Sequence, residues 1–421
     1  MCKPLPVGVE NFEKLCSEEY YYIDKTLLVK EILDRKSDVN LFTRPRRFGK
    51  TLTLSMLQYY FEDAYDKRGN KKDYSYLFED KKIAKEEEKY KKHMGQYPVI
   101  SLTLKSGKQA TFEGCMTALK SNLADEYSRH RYILKDGVMT DDEVEQYKRY
   151  MGKKASIDEY KDSLKFLCRC LEDWHGKKAI VLIDEYDVPL EGAYYYGFYD
   201  KMVDFIRGLF EATLKTNNSL YFAVITGCLR ISKESIFTGL NNLDINSILT
   251  VDYGEYFGFT EPEVMKLCQD YDLEDKFQEM KDWYNGYLFG KANVYNPWSC
   301  IKYIKAHVSQ PDAYPEAYWV NTSSNSIVRD LIEQADDSKK QVIEDLIAGG
   351  EITIPVHEDI TYDEIYKSED NLWNFMFFTG YFKKTGESFV DTQKYITIKI
   401  PNLEIKHIFK QKVLGWFEEK V

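Results

Sequence analysis

Four short apolar runs punctuate the N-terminal part of the chain: Val39 to Thr43, Pro98 to Leu104, Ala179 to Asp184 and Leu220 to Thr226. Each is bounded by polar or Gly/Pro residues, and stretches of helical periodicity lie between them. Runs of this length and composition read as strands buried on both faces, and strand–helix alternation predicts an α/β fold with a parallel sheet. The helical reading has local support. Ser156-Ile157-Asp158-Glu159 forms a capping box, followed on one face by Tyr160, Leu164, Leu167, Cys168, Leu171 and Trp174. A second box, Thr260-Glu261-Pro262-Glu263, leads into Val264 and Leu267.

The pattern then changes. Residues Pro262 to Ala306 read as mainly helical, with a loop at Asn285-Gly286. Residues from about 313 to 355 also read as helical. Leu372 to Ile400 reads as a helix followed by a two-stranded turn, with Gly380 and Thr385-Gly386 where turns would fall. The aromatic segment Trp373 to Phe382 is expected to form the core of a small module and not a binding platform.

Composition limits the function classes. The 421 residues include 58 basic and 69 acidic side chains, a net charge of −11 that argues against bulk nucleic-acid binding. No apolar run approaches the ~18 residues of a membrane span. The opening Met1-Cys2-Lys3-Pro4-Leu5-Pro6 lacks the apolar core of a secretory signal. The eight cysteines are scattered without a CxxC pair, as expected of reduced thiols in a cytoplasmic protein. The six histidines show no HxxxH or HExxH spacing, so a structural zinc is not expected.

Candidate chemistry concentrates after the first strand. Arg44-Pro45-Arg46-Arg47-Phe48-Gly49-Lys50-Thr51 ends like GxxxxGK[ST], the loop whose backbone N–H groups and helix N-terminus bind phosphate. In that motif the lysine reaches the β/γ-phosphates and the hydroxyl binds Mg²⁺. The first glycine of the pattern falls at position 44, which is arginine, so an altered loop is expected. The competing reading is an ordinary helix start with basic residues. Crowding of Arg44, Arg46, Arg47 and Lys50 in an acidic chain suits a triphosphate, although at least one arginine is expected not to touch nucleotide.

The run Ala179 to Ile183 delivers Asp184 and Glu185 at a strand's C-terminal end, where ligands of open α/β sheets bind. Asp184 can hold Mg²⁺ and Glu185 can orient or deprotonate an attacking water. Taken alone, such a pair would more often be a helix cap. Thr226, at a strand tip, and Arg230, four residues on, are candidates to sense the γ-phosphate. An ordinary strand exit with a surface arginine is equally compatible with composition.

Together these residues resemble the AAA-ATPase-like family, whose members often carry a C-terminal PD-(D/E)XK nuclease-like domain. The resemblance runs from Tyr22-Ile23-Asp24-Lys25-Thr26 through the RPRRFGKT loop, Asp184-Glu185-Tyr186-Asp187 and Arg230-Ile231-Ser232-Lys233. It continues through Gly239-Leu240-Asn241-Asn242, Trp283-Tyr284-Asn285-Gly286-Tyr287 and Tyr295-Asn296-Pro297-Trp298-Ser299 to Phe378-Thr379-Gly380-Tyr381. It makes Arg44 a family trait. It implies a P-loop NTPase core of the ASCE/AAA-like kind with helices on both faces of its sheet (residues 1–250). A helical lid (251–310) and a small α+β winged-helix-like module (311–421) would follow.

It also implies ATP and Mg²⁺ as cofactors. Arg46, Arg47, Phe48, Gly49, Lys50 and Thr51 would bind nucleotide, Thr51 and Asp184 would hold the metal, and Glu185, Thr226 and Arg230 would serve hydrolysis. Asp24 and Lys25 match a family motif and are expected near the adenine. A nuclease-like domain would follow near Trp416 to Val421 in longer members, as part of the chain or as a partner. Glu404-Ile405-Lys406 superficially resembles half a nuclease motif and reads as ordinary surface sequence, with Asp391 in a hairpin turn, so the chain itself is not expected to cut DNA. Residues 371–421 of that module carry a local charge of +3, which leaves DNA binding open, as oligomerisation is left open. The expected activity is a nucleotide-dependent switch with ATP hydrolysis. The alternative is a nucleotide-gated recruitment module with little turnover.

Overall fold

The computed structural model describes residues 2–230, 236–237, 240–319, 337–365 and 367–418, except for the side chains at 337, 363 and 412–418. Parts of the Arg230–Lys233 and Gly239–Asn242 segments, the middle of the 313–355 stretch and the last three residues lie outside the described residues.

Five parallel strands form the central sheet: β1 (Val39–Thr43), β2 (Val99–Thr103), β3 (Ala179–Asp184), β4 (Leu220–Gly227) and β5 (Leu243–Asn246), in the order β2-β3-β4-β1-β5. All five residues of β1 and all six of β3 are buried, as expected of runs covered on both faces. Helices flank the sheet, so the α/β expectation holds and fits a P-loop-like core. The fifth strand, β5, escapes the sequence pattern because only Asn246 of its four residues is buried.

The order sets the site. β4 lies between β1, which feeds the loop at 44–49, and β3, which delivers the acidic pair. The C-terminal ends of β1, β3 and β4 therefore converge. Helix α1 (Lys50–Phe61) starts directly after the loop. Helix α2 (Ser163–His175) buries Leu164, Leu167, Cys168 and Leu171, the face read from the sequence. The capping box read from the sequence belongs to a separate five-residue helix at Ile157–Lys161.

The segment after β5 is less helical than its periodicity suggests. Helices α3 (Glu261–Asp270), α4 (Phe277–Tyr284) and α5 (Pro297–Ser309) share a separate apolar core with Val264, Leu267, Met280 and Ile304. Between α4 and α5, however, the chain forms strands β7 (Tyr287–Phe289) and β8 (Ala292–Tyr295), which join β6 (Phe259–Thr260) in an antiparallel sheet. This corrects the helical expectation for that stretch: the Asn285-Gly286 turn leads into a hairpin.

The C-terminal unit likewise departs from a continuous helix over 313–355. Within its described part only α6 (Asp337–Ala348) is an α-helix, followed by strand β9 (Ile352–Pro355). Helix α7 (Glu369–Phe378) and the hairpin β10 (Lys383–Val390) and β11 (Gln393–Lys399) match expectation, with Asp391 in the turn at φ 52°, but Thr385-Gly386, expected at a turn, lies within β10, where the pairing with β11 shifts register between Lys384 and Gly386. Trp373, Phe375, Phe377 and Phe382 are buried, as a module core requires. The last helix is α8 (Leu403–Glu418). The apolar core of this unit is continuous with that of the central sheet. No helix among the described residues is long and apolar enough to cross a membrane.

A candidate nucleotide site at the C-terminal end of the sheet

The loop from Arg44 to Gly49 turns out of β1 with its first N–H donated to the Gly227 carbonyl of β4, 3.1 Å. Its left-handed residues are Arg47 (φ 68°) and Gly49 (φ 80°), and Arg44 is not among them. Position 44 therefore makes no demand for glycine. The strained non-glycine position is Arg47.

Arg44 is fully buried and points away from the loop's mouth. Its Nη1 donates to the carbonyls of Thr43 (2.9 Å) and Asn246 (2.6 Å), tying β1 to β5. The guanidinium sits 5.2 Å from the ring centres of both Phe257 and Phe289. Burial pushes its pKa down to about 9. It is the loop arginine that does not reach the cavity. The other two do: Arg46 pairs with Glu191 at 2.6 Å, and Arg47 stacks on Trp298 at 4.3 Å. Phe48 is buried edge-on against Tyr287.

The Lys50 amine donates to the loop's own carbonyls at Arg44 (2.9 Å) and Pro45 (3.0 Å). Thr51 Oγ1 donates to Asp184 Oδ2 at 2.7 Å, and Thr226 Oγ1 donates to Asp184 Oδ1. Asp184 is thus gripped from α1 and from β4. Glu185 follows at φ 52°, a strained setting for a side chain of its kind. Burial, and then the neighbouring Asp184 charge, hold the Glu185 carboxyl above the usual carboxylate range.

A cavity of about 410 Å³, within the size range of small-molecule sites, is lined by Lys50, Thr51 and Glu185, while Asp184 and Thr226 lie behind them and outside its lining. Its polar lining comes from the loop and the start of α1 (Arg46, Arg47, Gly49, Lys50 and Thr51) and from Lys105, Lys108, Glu185 and Glu191. Its apolar lining includes Val9, Tyr22, Ile23, Tyr256, Leu267 and Ile301, from the N-terminal segment and the middle helical unit. A lining of clustered basic residues and apolar walls fits a ligand that carries both negative charge and an apolar ring. Thr51 and Asp184 could hold Mg²⁺ between them.

The remaining expected residues are placed as follows. Lys25 lines the cavity, with its amine on both Glu263 oxygens (2.8 and 2.6 Å) and on the Glu255 carbonyl (2.6 Å). Asp24 does not line it; its carboxylate takes the Thr26 N–H and hydroxyl and the Lys82 N–H. Arg230 also lies outside the lining, with Nε 2.9 Å from Asp359 Oδ1 of the C-terminal unit. Glu404 is completely buried, which corrects its reading as surface sequence. It accepts from Ser299 Oγ (2.9 Å) and from the Trp319 N–H (2.9 Å). Among the described residues no group of three His, Cys, Asp or Glu side chains could hold a metal.

Several contributors carried no sequence signal. Lys105 and Lys108 follow β2, and Leu104 N–H bonds the Asp184 carbonyl at 2.9 Å, so β2 delivers them beside the acidic pair. Glu191 is buried between Arg46 and Lys108 (3.1 Å). Asp187, also buried, takes the N–H groups of Cys228 (2.7 Å) and Leu229 (3.2 Å), fixing the exit of β4. A carboxylate and a lysine separated by 83 residues become neighbours only through strand order.

Comparison with known proteins agrees with this arrangement. A protein of Azotobacter chroococcum mcd 1, described as an uncharacterized protein in the vnfD 5′ region, is 24% identical over 422 residues, spanning 98% of this chain and 70% of the relative. The family model AAA-ATPase_like, described as a predicted AAA-ATPase, matches residues 6–237, the whole of the loop, the acidic pair and the Thr226 strand. The chain belongs to the AAA-ATPase-like family.

Proposed function

We propose that this chain binds ATP·Mg²⁺ and hydrolyses it as a nucleotide-dependent switch. The observation that carries the reading is the meeting of Thr51 and Thr226 hydroxyls on Asp184, with Glu185 facing the same cavity as Lys50. The Lys50 amine and the loop N–H groups bind the β- and γ-phosphates. Thr51 and Asp184 hold the Mg²⁺, which when bound neutralises phosphate charge. Glu185 orients a water and accepts its proton, a task that its raised basicity favours. Arg46 and Arg47 add positive charge at the phosphate end, and Lys25 braces the cavity wall.

In this reading residues 1–250 are the ATPase core, 251–310 a lid and 311–421 a winged-helix-like output module. The decisive experiment is nucleotide hydrolysis by the purified full chain, with Glu185→Gln as control. Loss of turnover with retained ATP binding is expected. Binding without turnover, unchanged by that substitution, would leave only the second reading, a nucleotide-gated recruitment module for DNA or a nuclease partner. One observation favours that alternative: Arg230, the candidate sensor, pairs with Asp359 outside the cavity.

A further inference from the structure

Three segments remote in sequence meet behind the phosphate loop. The Trp319 indole N–H donates to the Arg46 carbonyl at 3.2 Å. The Trp319 main-chain N–H donates to Glu404 Oε1 at 2.9 Å. Glu404, at the start of α8, also accepts from Ser299 Oγ at 2.9 and 3.0 Å. Ser299 follows Trp298, whose ring carries the Arg47 guanidinium. The Trp319 ring is itself wedged against Tyr381, 4.8 Å between centres. Beside it, Gly380 lies so close to Pro45 that a Cβ there would come within 2.9 Å of the proline ring.

The peptide linking Arg46 to Arg47 is planar, so its C=O and N–H point in opposite directions. Whatever holds the Arg46 carbonyl therefore also aims the Arg47 N–H. Lys50 takes the two preceding carbonyls, and Trp319 takes this one. Arg47 holds a left-handed φ of 68°, which a non-glycine residue keeps only under external constraint.

We propose that Trp319, seated by Glu404, is a positioning residue for the phosphate loop. It sets the Arg47 N–H for phosphate, and so makes nucleotide affinity depend on docking of the C-terminal unit. This inference rests on the nucleotide reading above. Coupling of this kind is reciprocal: nucleotide must tighten the docked unit by the factor that docking tightens nucleotide.

The test uses the full chain and Trp319→Phe, which keeps an aromatic ring against Tyr381 and removes the indole donor. Trp174→Phe is the matched control, since it also loses an indole hydrogen bond, to Asp136, at a distant site. The expected result is a dissociation constant for ATP·Mg²⁺ raised roughly three- to tenfold in Trp319→Phe, the worth of one hydrogen bond, with the control near wild type. Amide hydrogen exchange at residues 45–49 in nucleotide-free protein should accelerate in Trp319→Phe only. Should Trp319→Phe fail to fold, Ser299→Ala, which removes a donor to Glu404 and leaves the tryptophan, should show the same two changes to a smaller degree. Unchanged affinity together with unchanged loop exchange would overturn the inference. If wild type binds no nucleotide, the nucleotide reading falls, and loop exchange alone decides: faster exchange supports the positioning role and unchanged exchange refutes it.

Discussion

Thr51 and Thr226 hold opposite oxygens of the Asp184 carboxylate, one from the first turn of α1 and one from the tip of β4. Thr226 is fully buried, so Thr226→Val would leave Asp184 Oδ1 without its donor while conserving shape. An unmade buried bond of this kind costs about 1–3 kcal/mol. Thermal unfolding should therefore show a fall of several degrees in Thr226→Val, and ATP turnover should drop with it. A variant that melts and turns over like wild type would show that this hydroxyl is dispensable.

The acid limb of turnover should report Glu185. Burial raises its pKa, so the base form that accepts a proton accumulates only above the ordinary carboxylate range. Turnover at saturating ATP should rise with pH through that raised pKa. In Glu185→Gln turnover should fall by roughly 10²–10⁴ and lose this limb. A wild-type profile flat down to pH 4 would contradict the assignment.

Two glycine substitutions in the loop should behave oppositely. Arg44→Gly restores the usual motif residue, but position 44 needs no positive φ and the change empties a fully buried site. Removal of a side chain of this size from a core is expected to cost on the order of 3 kcal/mol or more. Arg47→Gly instead relieves a left-handed arginine, worth about 1 kcal/mol, while losing the stack on Trp298. Melting curves should rank Arg44→Gly well below Arg47→Gly; the reverse order would refute the loop geometry.

Glu404 should make stability fall as pH rises. Its carboxyl is pushed up to about 8 by burial, against an ordinary value of 4.5. Between those two values the folded state binds more protons than the unfolded state, so the contribution is fully present at low pH and is lost as pH rises through 8. Glu404→Gln, which cannot titrate, should lack this slope. The comparison is a pair of denaturant midpoints at pH 5.5 and 8.5, roughly the ends of that window. Parallel changes in both proteins would show that Glu404 titrates normally.

Much of the core was legible because its strands are covered on both faces. β3 and β4 read as nearly continuous apolar runs and β1 as one interrupted only by Asn40, and the groups at the ends of β1 and β3 followed from motif spacing. Edge strand β5 did not, since most of its residues stay partly exposed. Charged residues misled most where burial depends on distant partners. Glu404 looks like surface sequence because its donors lie 85 and 105 residues away. That one loop arginine would stand apart was expected, but nothing local announces the Phe257 and Phe289 rings that enclose Arg44. The β7–β8 hairpin was hidden by helices on either side and by apolar residues shared between both periodicities.

The first residues of the chain are bound to α3. Cys2 Sγ lies 3.2 Å from the Asp270 carbonyl, Tyr271 Oη donates to the Lys3 carbonyl at 2.5 Å, and Tyr21 Oη donates to Asp270 at 2.8 Å. The segment that continues to Pro6, Gly8 and Val9 of the cavity lining is thus anchored to the helix that contributes Leu267 to the same lining, so a load on that segment is carried to two walls of the cavity at once.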